Sequence, residues 1–427
     1  MTKTITRVAL IVVACFVLCG ASLAAPRSAG VTEPPVFAFY PQAGIAWADL
    51  YFGNFVDLDP GPGVLDWSCG SQTYDGHSGE DSLVRSFREK RIGVPVFAAL
   101  DGAVVQVQSG LPDEHVEKTM TQVDNHVIIA SLGGHVRTVY GHLRRKPFVR
   151  VGQRVRAGQQ IGWTASSGHS SWPHLHFTAK FDFQVYEPFA GACRTGQSYW
   201  REQPPLPAAP YAREFTFSPQ PFGGRRDPPW DTAVRTGTFT RGTRDVYFRI
   251  ELGFFGGSPM QVTFTRPDGS IAFDGVEATR LRGGRATWAS WHERLDLDQL
   301  GTWRLRLAGN GRELADAPFD VDRPGKRRNR PPNPVSLSLD PADPTGADVV
   351  QCLVRTSLVT EDPDYDVVRY RYRWRVGAKL VRDVTSAALS DVLRHGVARP
   401  GRRLSCTVTP SDGKRRGPSA AVSVSVR

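Results

Sequence analysis

At 427 residues the chain exceeds what one ordinary core organises, and about two to four domains are expected. The formal net charge of +11 points to an anionic partner. For a chain that is exported, this excludes nucleic acid as the natural partner and leaves anionic cell-wall polymers.

Export is read from the start of the chain. Lys3 and Arg7 form a basic segment, residues 8–18 form an apolar run too short to cross a bilayer, and small residues follow. Residues 1–24 therefore read as a signal peptide, with Ser22 and Ala24 small at the two selective positions before the cut. "VVAC", ending at Cys15, loosely matches a lipoprotein box, but it would leave the apolar "FVLCGASLAA" after the modified cysteine. No later run reaches the length of a membrane helix, so the mature chain is expected to be soluble and periplasmic or extracellular. Removing the signal leaves Cys69, Cys193, Cys352 and Cys406, an even number in an oxidising compartment. Of the three pairings, the one that keeps each bridge inside a module joins Cys69 to Cys193 and Cys352 to Cys406.

Eight of the ten histidines fall between His77 and His176. In "YDGHSGED", His77 and Asp81 are four apart but flanked by Gly76 and Gly79, so they must converge through a turn or an irregular strand rather than a helix. In "TVYGHL", strand alternation predicts Thr138, Tyr140 and His142 on one face. In "SSWPHLHF", the same alternation aims His174 and His176 into one space while Leu175 faces a core. His, Asp and a further His supply three ligands to a tetrahedral zinc and leave a fourth position for water. His169 reads as a loop residue, and His115, His126 and His135 as solvated strand ends.

Two proline-rich joints follow, "QPPLPAAP" and "RPGKRRNRPPNP", read as linkers over 203–211 and 324–333. They separate a first module, 25–202, from a middle one, 212–323, and a last one, 334–427. Short alternating runs such as "VYFRIEL" and "TWRLRL" make all three mainly β. In "RYRYRWR" the period of two puts Tyr370, Tyr372 and Trp374 on one face and arginines on the other, as a half-buried strand requires rather than a nucleic-acid surface. Cys352, Trp374 and Cys406 have the order and spacing of an immunoglobulin-like sandwich, and the middle module reads as a second sandwich.

"HSGED", "VYGHL" and "HLHF", in that order and separation, resemble the motifs of the LytM/lysostaphin-type zinc metallopeptidases, which cut peptide bridges in bacterial peptidoglycan. "DGAVVQV", "VGQRVRAGQQIG" and "SSGHSSWPHLHF" extend the likeness over about residues 68–190, with "NFVDLDP" and "YEPFAGAC" as flanks. The resemblance implies a LytM-like β-sheet catalytic domain that binds one Zn2+ per chain through His77, Asp81 and His176. His142 and His174 then act on water or substrate, and Asn125, Tyr140 and Trp172 stand beside the cleft or behind the ligands. The implied partners are peptidoglycan peptide stems. Trp172 and Thr178 depart from the family pattern, which has glycine and an acidic residue there. Two other readings compete: an adaptor that activates other wall hydrolases, and a bacteriolytic protease acting on foreign walls. HExxH is absent, since His292-Glu293 is followed by Asp296, and so are GxSxG and P-loop motifs.

Overall fold

The structure is a computed structural model that describes residues 30–116, 123–222, 234–255, 259–277, 284–325 and 328–427. The expected signal segment, 1–24, lies outside the described residues, as do residues 326 and 327 of the second joint.

The first module contains β1 (Tyr51–Asn54), β2 (Glu80–Leu83), α1 (Phe87–Ile92), β3 (Pro95–Phe97), β4 (Gly102–Gln108), β5 (His126–Ser131), β6 (Val136–Gly141), β7 (Arg154–Val155), β8 (Gln160–Trp163), β9 (His174–Phe181) and β10 (Gln184–Val185). Eight of these strands form one sheet in the order β1-β2-β9-β6-β5-β4-β7, with β10 on β9, and β3 pairs separately with β8. Alternation explains the layering. Val127 and Ile129 of β5, Tyr140 of β6, and Leu175, Phe177 and Ala179 of β9 face a core shared with Phe52, Phe55 and Phe189. The intervening residues of the same strands face the other way. Ser86 caps the six-residue α1 by accepting from the Glu89 N–H, and Gly93 ends it at φ +126°. Cys69 is bonded to Cys193, tying the loop after β1 to the end of the module.

The middle module adds β11 (Tyr211–Ser218), β12 (Thr238–Thr240), β13 (Asp245–Phe255), β14 (Met260–Thr265), β15 (Ile271–Glu277), β16 (Gly284–Arg294), β17 (Gly301–Gly309) and β18 (Arg312–Asp322). Sheets β11-β13-β16 and β12-β18-β17-β14-β15 close over one core that includes Phe217, Phe248, Trp303 and Phe319. The last module adds β19 (Ser336–Asp340), β20 (Val350–Arg355), β21 (Arg369–Val376), β22 (Lys379–Ser386), β23 (Ser390–Leu393), β24 (Arg403–Ser411) and β25 (Ala420–Ser425). Its sheets β19-β20-β23 and β22-β21-β24-β25 are stitched by the Cys352–Cys406 bond. Tyr370, Tyr372 and Trp374 are buried between them.

The modules are packed together rather than strung on slack joints. Phe39, Leu50, Val84 and Phe97 of the first module share an apolar cluster with Val349, Ala387 and Val392 of the last. Arg85, 3% exposed and four residues after Asp81, bonds Glu89 of α1 and Glu361 of the last module. Tyr365 of the last module lies within the middle module's core, with its hydroxyl donating to the Pro318 carbonyl at 2.7 Å. Arg330, in the second proline-rich joint, is held by Asp364 at 2.9 Å.

Candidate metal centre

Strand β9 runs between β2 and β6, and its register brings the motifs together. Asp81 pairs with His176, and Gly141 pairs with the same His176 from the other side. Two glycines permit this approach. A Cβ at Gly79 would lie 2.4 Å from the Phe177 carbonyl oxygen, and one at Gly141 would lie 2.6 Å from Asp124 Oδ2. His77 arrives on the turn before β2, as the flanking glycines predict.

His77, Asp81 and His176 each offer a ligand atom, all within 4.8 Å of one another. The bonds on the far side of each side chain determine which atoms those are. His77 Nδ1 lies 2.7 Å from the Phe55 carbonyl, which can only accept, so Nδ1 carries the proton and Nε2 presents a lone pair. His176 Nε2 lies 3.0 Å from Thr178 Oγ1; with Thr178 accepting, Nδ1 of His176 presents the lone pair. Asp81 Oδ2 accepts from Asn54 Nδ2 at 2.8 Å, leaving Oδ1 toward the histidines. The three facing atoms stand 2.9 Å (Asp81 to His176), 3.2 Å (His77 to His176) and 3.3 Å (His77 to Asp81) apart. With His176 in this tautomer three lone pairs converge, an arrangement that a cation satisfies, and two imidazoles with one carboxylate are a zinc-type donor set. Burial alone would raise the Asp81 carboxyl, but the surrounding imidazoles outweigh it and hold the group ionised, well below the usual carboxylate range.

His142 and His174 stand beside this set. His142 Nδ1 donates to the Ser167 carbonyl at 2.7 Å and His174 Nδ1 to the Trp172 carbonyl at 2.7 Å, so each turns its Nε2 inward as the basic atom. Their rings lie 4.3 Å apart. Burial, together with the neighbouring His174, pushes His142 down to about 3, and burial also lowers His174, so both are neutral at ordinary pH.

Three expectations need correction. Thr138, Tyr140 and His142 do not share a face. Thr138 and Tyr140 are fully buried, with the Tyr140 hydroxyl accepting from the Ala99 N–H and donating to Thr138, whereas His142 lies past the end of β6 at φ +55°. That left-handed residue reverses the alternation and swings His142 out of the core, so Tyr140 is a core residue and no part of the cleft. Asn125, expected to hold a turn or to support the ligands by hydrogen bonding, does the first and does not approach the ligands. It is fully buried and pins the Leu111 loop to Leu143 through its side-chain amide. Its neighbour Asp124 takes the supporting role instead, accepting from the His142 N–H at 2.8 Å and the His126 Nδ1–H at 2.9 Å. His126 is therefore a cleft residue rather than a solvated strand end. Trp172 acts through its carbonyl, which orients His174, while its indole donates to the Val84 carbonyl.

The ligand set opens onto a groove of about 630 Å³ along the outer face of β5, β6 and β9, floored by Ile128, Val139, Thr178 and Lys180 and flanked by Tyr74 and His169. Among the described residues, none from the middle or last module lines it. Asn54, Asp124 and Thr178 had no assigned role from sequence. Asn54 stands in the "NFVDLDP" flank and Asp124 beside Asn125, and no spacing rule singles out either.

Fold and site together define a β domain with a His-Asp-His centre and two free histidines at the head of an open groove. Residues 86–188 match the family model described as Peptidase family M23. His142, His174 and His176 lie inside the match, and β2 brings in His77 and Asp81 from just upstream. Among curated relatives, glycyl-glycine endopeptidase ALE-1 of Staphylococcus capitis is 40% identical over 86 residues, covering 20% of this chain and 21% of that protein. Peptidoglycan DD-endopeptidase ShyA of Vibrio cholerae is 35% identical over 86 residues, 20% of this chain and 17% of its own. DD-carboxypeptidase/endopeptidase Mpg of Neisseria meningitidis is 32% identical over 103 residues, 24% of this chain and 21% of its own. The chain thus spans about a fifth of the length of the curated relatives it matches.

Proposed function

We propose that this chain is an exported zinc metalloendopeptidase that hydrolyses peptide cross-links of bacterial peptidoglycan, in the periplasm or outside the cell. The observation that carries the proposal is the convergence of His77 Nε2, Asp81 Oδ1 and His176 Nδ1 within 3.3 Å of one another beside an open groove. The names of the relatives, which describe endopeptidases and a peptidoglycan DD-endopeptidase, support the substrate class. No helix among the described residues is long and apolar enough to cross a membrane.

These three residues would hold one zinc per chain. Zinc there supplies Lewis-acid polarisation of a carbonyl and lowers the pKa of a bound water to about 7. The rest of the chemistry belongs to side chains. His142 and His174, neutral and fixed through Nδ1, each turn Nε2 toward the ligand set, where it can accept a proton from attacking water. Once protonated, the same nitrogen becomes a donor for the oxyanion or the leaving amine. Asp124 fixes the backbone of His142, so the imidazole needs no reorientation during turnover. The shallow strand floor accepts an extended peptide.

All five expected positions are filled and no described residue of an accessory module covers the groove, so nothing specific favours the adaptor reading. The test is elemental analysis of the purified chain. About one zinc per chain is expected in wild type, and its loss in His77→Ala and Asp81→Ala. A folded wild-type protein that takes up no zinc would contradict the proposal.

A further inference from the structure

The last module carries a groove lined by arginines, apart from the candidate metal centre. On β21 the residues that alternate with Tyr370, Tyr372 and Trp374 are Arg369, Arg371 and Arg373, so three guanidinium groups stand along one strand face about 7 Å apart. Arg416 joins them across a groove of about 420 Å³ on the face of the sheet away from its core. Arg371 is gripped by Asp383 in a two-point bond at 2.7 and 2.8 Å. Among the described residues, Arg369 and Arg416 have no carboxylate within ion-pair distance, and Arg373 faces Asp383 across the strand pair with no hydrogen bond to it. The Nε atoms of Arg369 and Arg373 are also buried without any hydrogen-bond acceptor.

Such an arrangement is costly when empty. Like charges on one strand face repel, and a buried donor without an acceptor forfeits its hydrogen bond to water. An anion between them relieves both costs at once, and guanidinium presents the forked donors that phosphate and carboxylate oxygens fit. The rest of the lining specifies the carrier. Thr385, Thr409, Ser411 and Ser419 bring hydroxyls to the groove, and among the described residues no aromatic side chain lines it, because the three aromatics of β21 are in the core. Hydroxyls suit a polyhydroxylated chain, whereas single-stranded nucleic acid is held by stacking on aromatic rings.

We propose that this arginine groove on the last module binds an anionic polyol or glycan polymer through its phosphate or carboxylate groups. The site shares no residue with the candidate metal centre, and the proposal does not rest on peptide hydrolysis. It gives a place to the basic charge noted in the sequence and would hold the enzyme against a negatively charged wall.

The experiment is equilibrium binding of the full chain to fluorescently labelled poly(glycerol phosphate), polygalacturonate and neutral dextran across a salt series, with a single-stranded oligonucleotide as a fourth probe. Wild type should bind one or both charged polymers and not dextran, and the stronger of the two identifies phosphate or carboxylate as the preferred group. The triple variant Arg369→Gln/Arg373→Gln/Arg416→Gln should lose at least about tenfold in affinity at low salt. Its slope of log affinity against log salt should flatten by about two to three, from roughly 0.7–0.9 per lost phosphate contact. A charge-matched control removes Arg294, Arg306 and Arg312, exposed arginines of the middle module, and should bind like wild type. An unchanged triple variant with wild-type melting temperature would overturn the proposal. So would an equal loss in the control, equal binding of dextran, or an oligonucleotide that binds more tightly than both polymers.

Discussion

Thr178→Val tests whether the metal-binding form of His176 is set by its neighbour. Valine keeps the shape and buried position of Thr178, which is 2% exposed, and removes only the hydroxyl that lies 3.0 Å from His176 Nε2 and can accept its proton. Two effects add. The lost hydrogen bond is worth about 1 kcal/mol, and the Nε2–H left in a mostly enclosed position costs about 1–3 kcal/mol in states where the ring keeps its orientation. Part of that is recovered when the proton moves to Nδ1, but this tautomer removes the lone pair that faces Asp81 and His77. The net expectation is a 10–100-fold weaker zinc affinity, equivalent to about 1.4–2.8 kcal/mol. Titration of the metal-free protein with zinc against a chromophoric chelator reads this directly, and Thr178→Ser should restore most of the affinity. A valine variant that is folded and binds zinc within twofold of wild type would refute the reasoning.

His142→Ala and His174→Ala should each keep zinc and the wild-type melting temperature while losing most peptidase activity, because both act beside the ligand set; full activity in both, assayed on a soluble cross-linked peptide, would remove their assigned roles. Arg85→Met should destabilise the chain by about 3–5 kcal/mol in urea unfolding, since it strands the Glu361 carboxylate and the Glu89 carboxyl group without their donor at a buried seam between modules. A loss under about 1 kcal/mol would show that this ion pair does not brace the seam. Burial, only partly offset by Arg85, pushes the Glu89 carboxyl up to about 8, well above the usual carboxylate range. The folded state thus holds a proton that the unfolded chain has already released, and stability must fall as pH rises through the folded value. Between pH 7 and 9 this amounts to roughly 1 to 2 kcal/mol for the metal-free protein, and Glu89→Gln should flatten the trend in a series of melting temperatures.

Much of the site was legible because strands repeat every two residues. His174 and His176 around Leu175 announce one shared face, and β9 has that geometry. The burial of Tyr370, Tyr372 and Trp374 follows from the same rule. Where the backbone breaks the period, the rule fails. His142 follows Tyr140 at the right spacing, yet its φ of +55° sends it to the opposite side, and nothing in "TVYGHL" announces a left-handed residue there. Supporting bonds were equally hidden, because Asn54 and Asp124 reach their partners across 27 and 18 residues through the register of the sheet. Proline content suggested joints over 203–211 and 324–333 but said nothing of how the segments beside them pack. The contact of Ala387 and Val392 with Phe39 and Leu50 is long-range, and alternation within each strand does not specify it.

The central claim is hydrolysis of peptidoglycan cross-links at this centre. Its most direct test is to incubate the zinc-loaded full chain, and its Asp81→Ala variant, with purified sacculi of defined cross-link type and to read the released fragments by mass spectrometry. Wild type should release muropeptides carrying a new amino terminus and a new carboxyl terminus at one kind of peptide bond, with the glycan strands intact, and Asp81→Ala should release none above background. Zinc-loaded wild type that leaves every peptide cross-link intact, or fragments cut only in the glycan, would contradict the account.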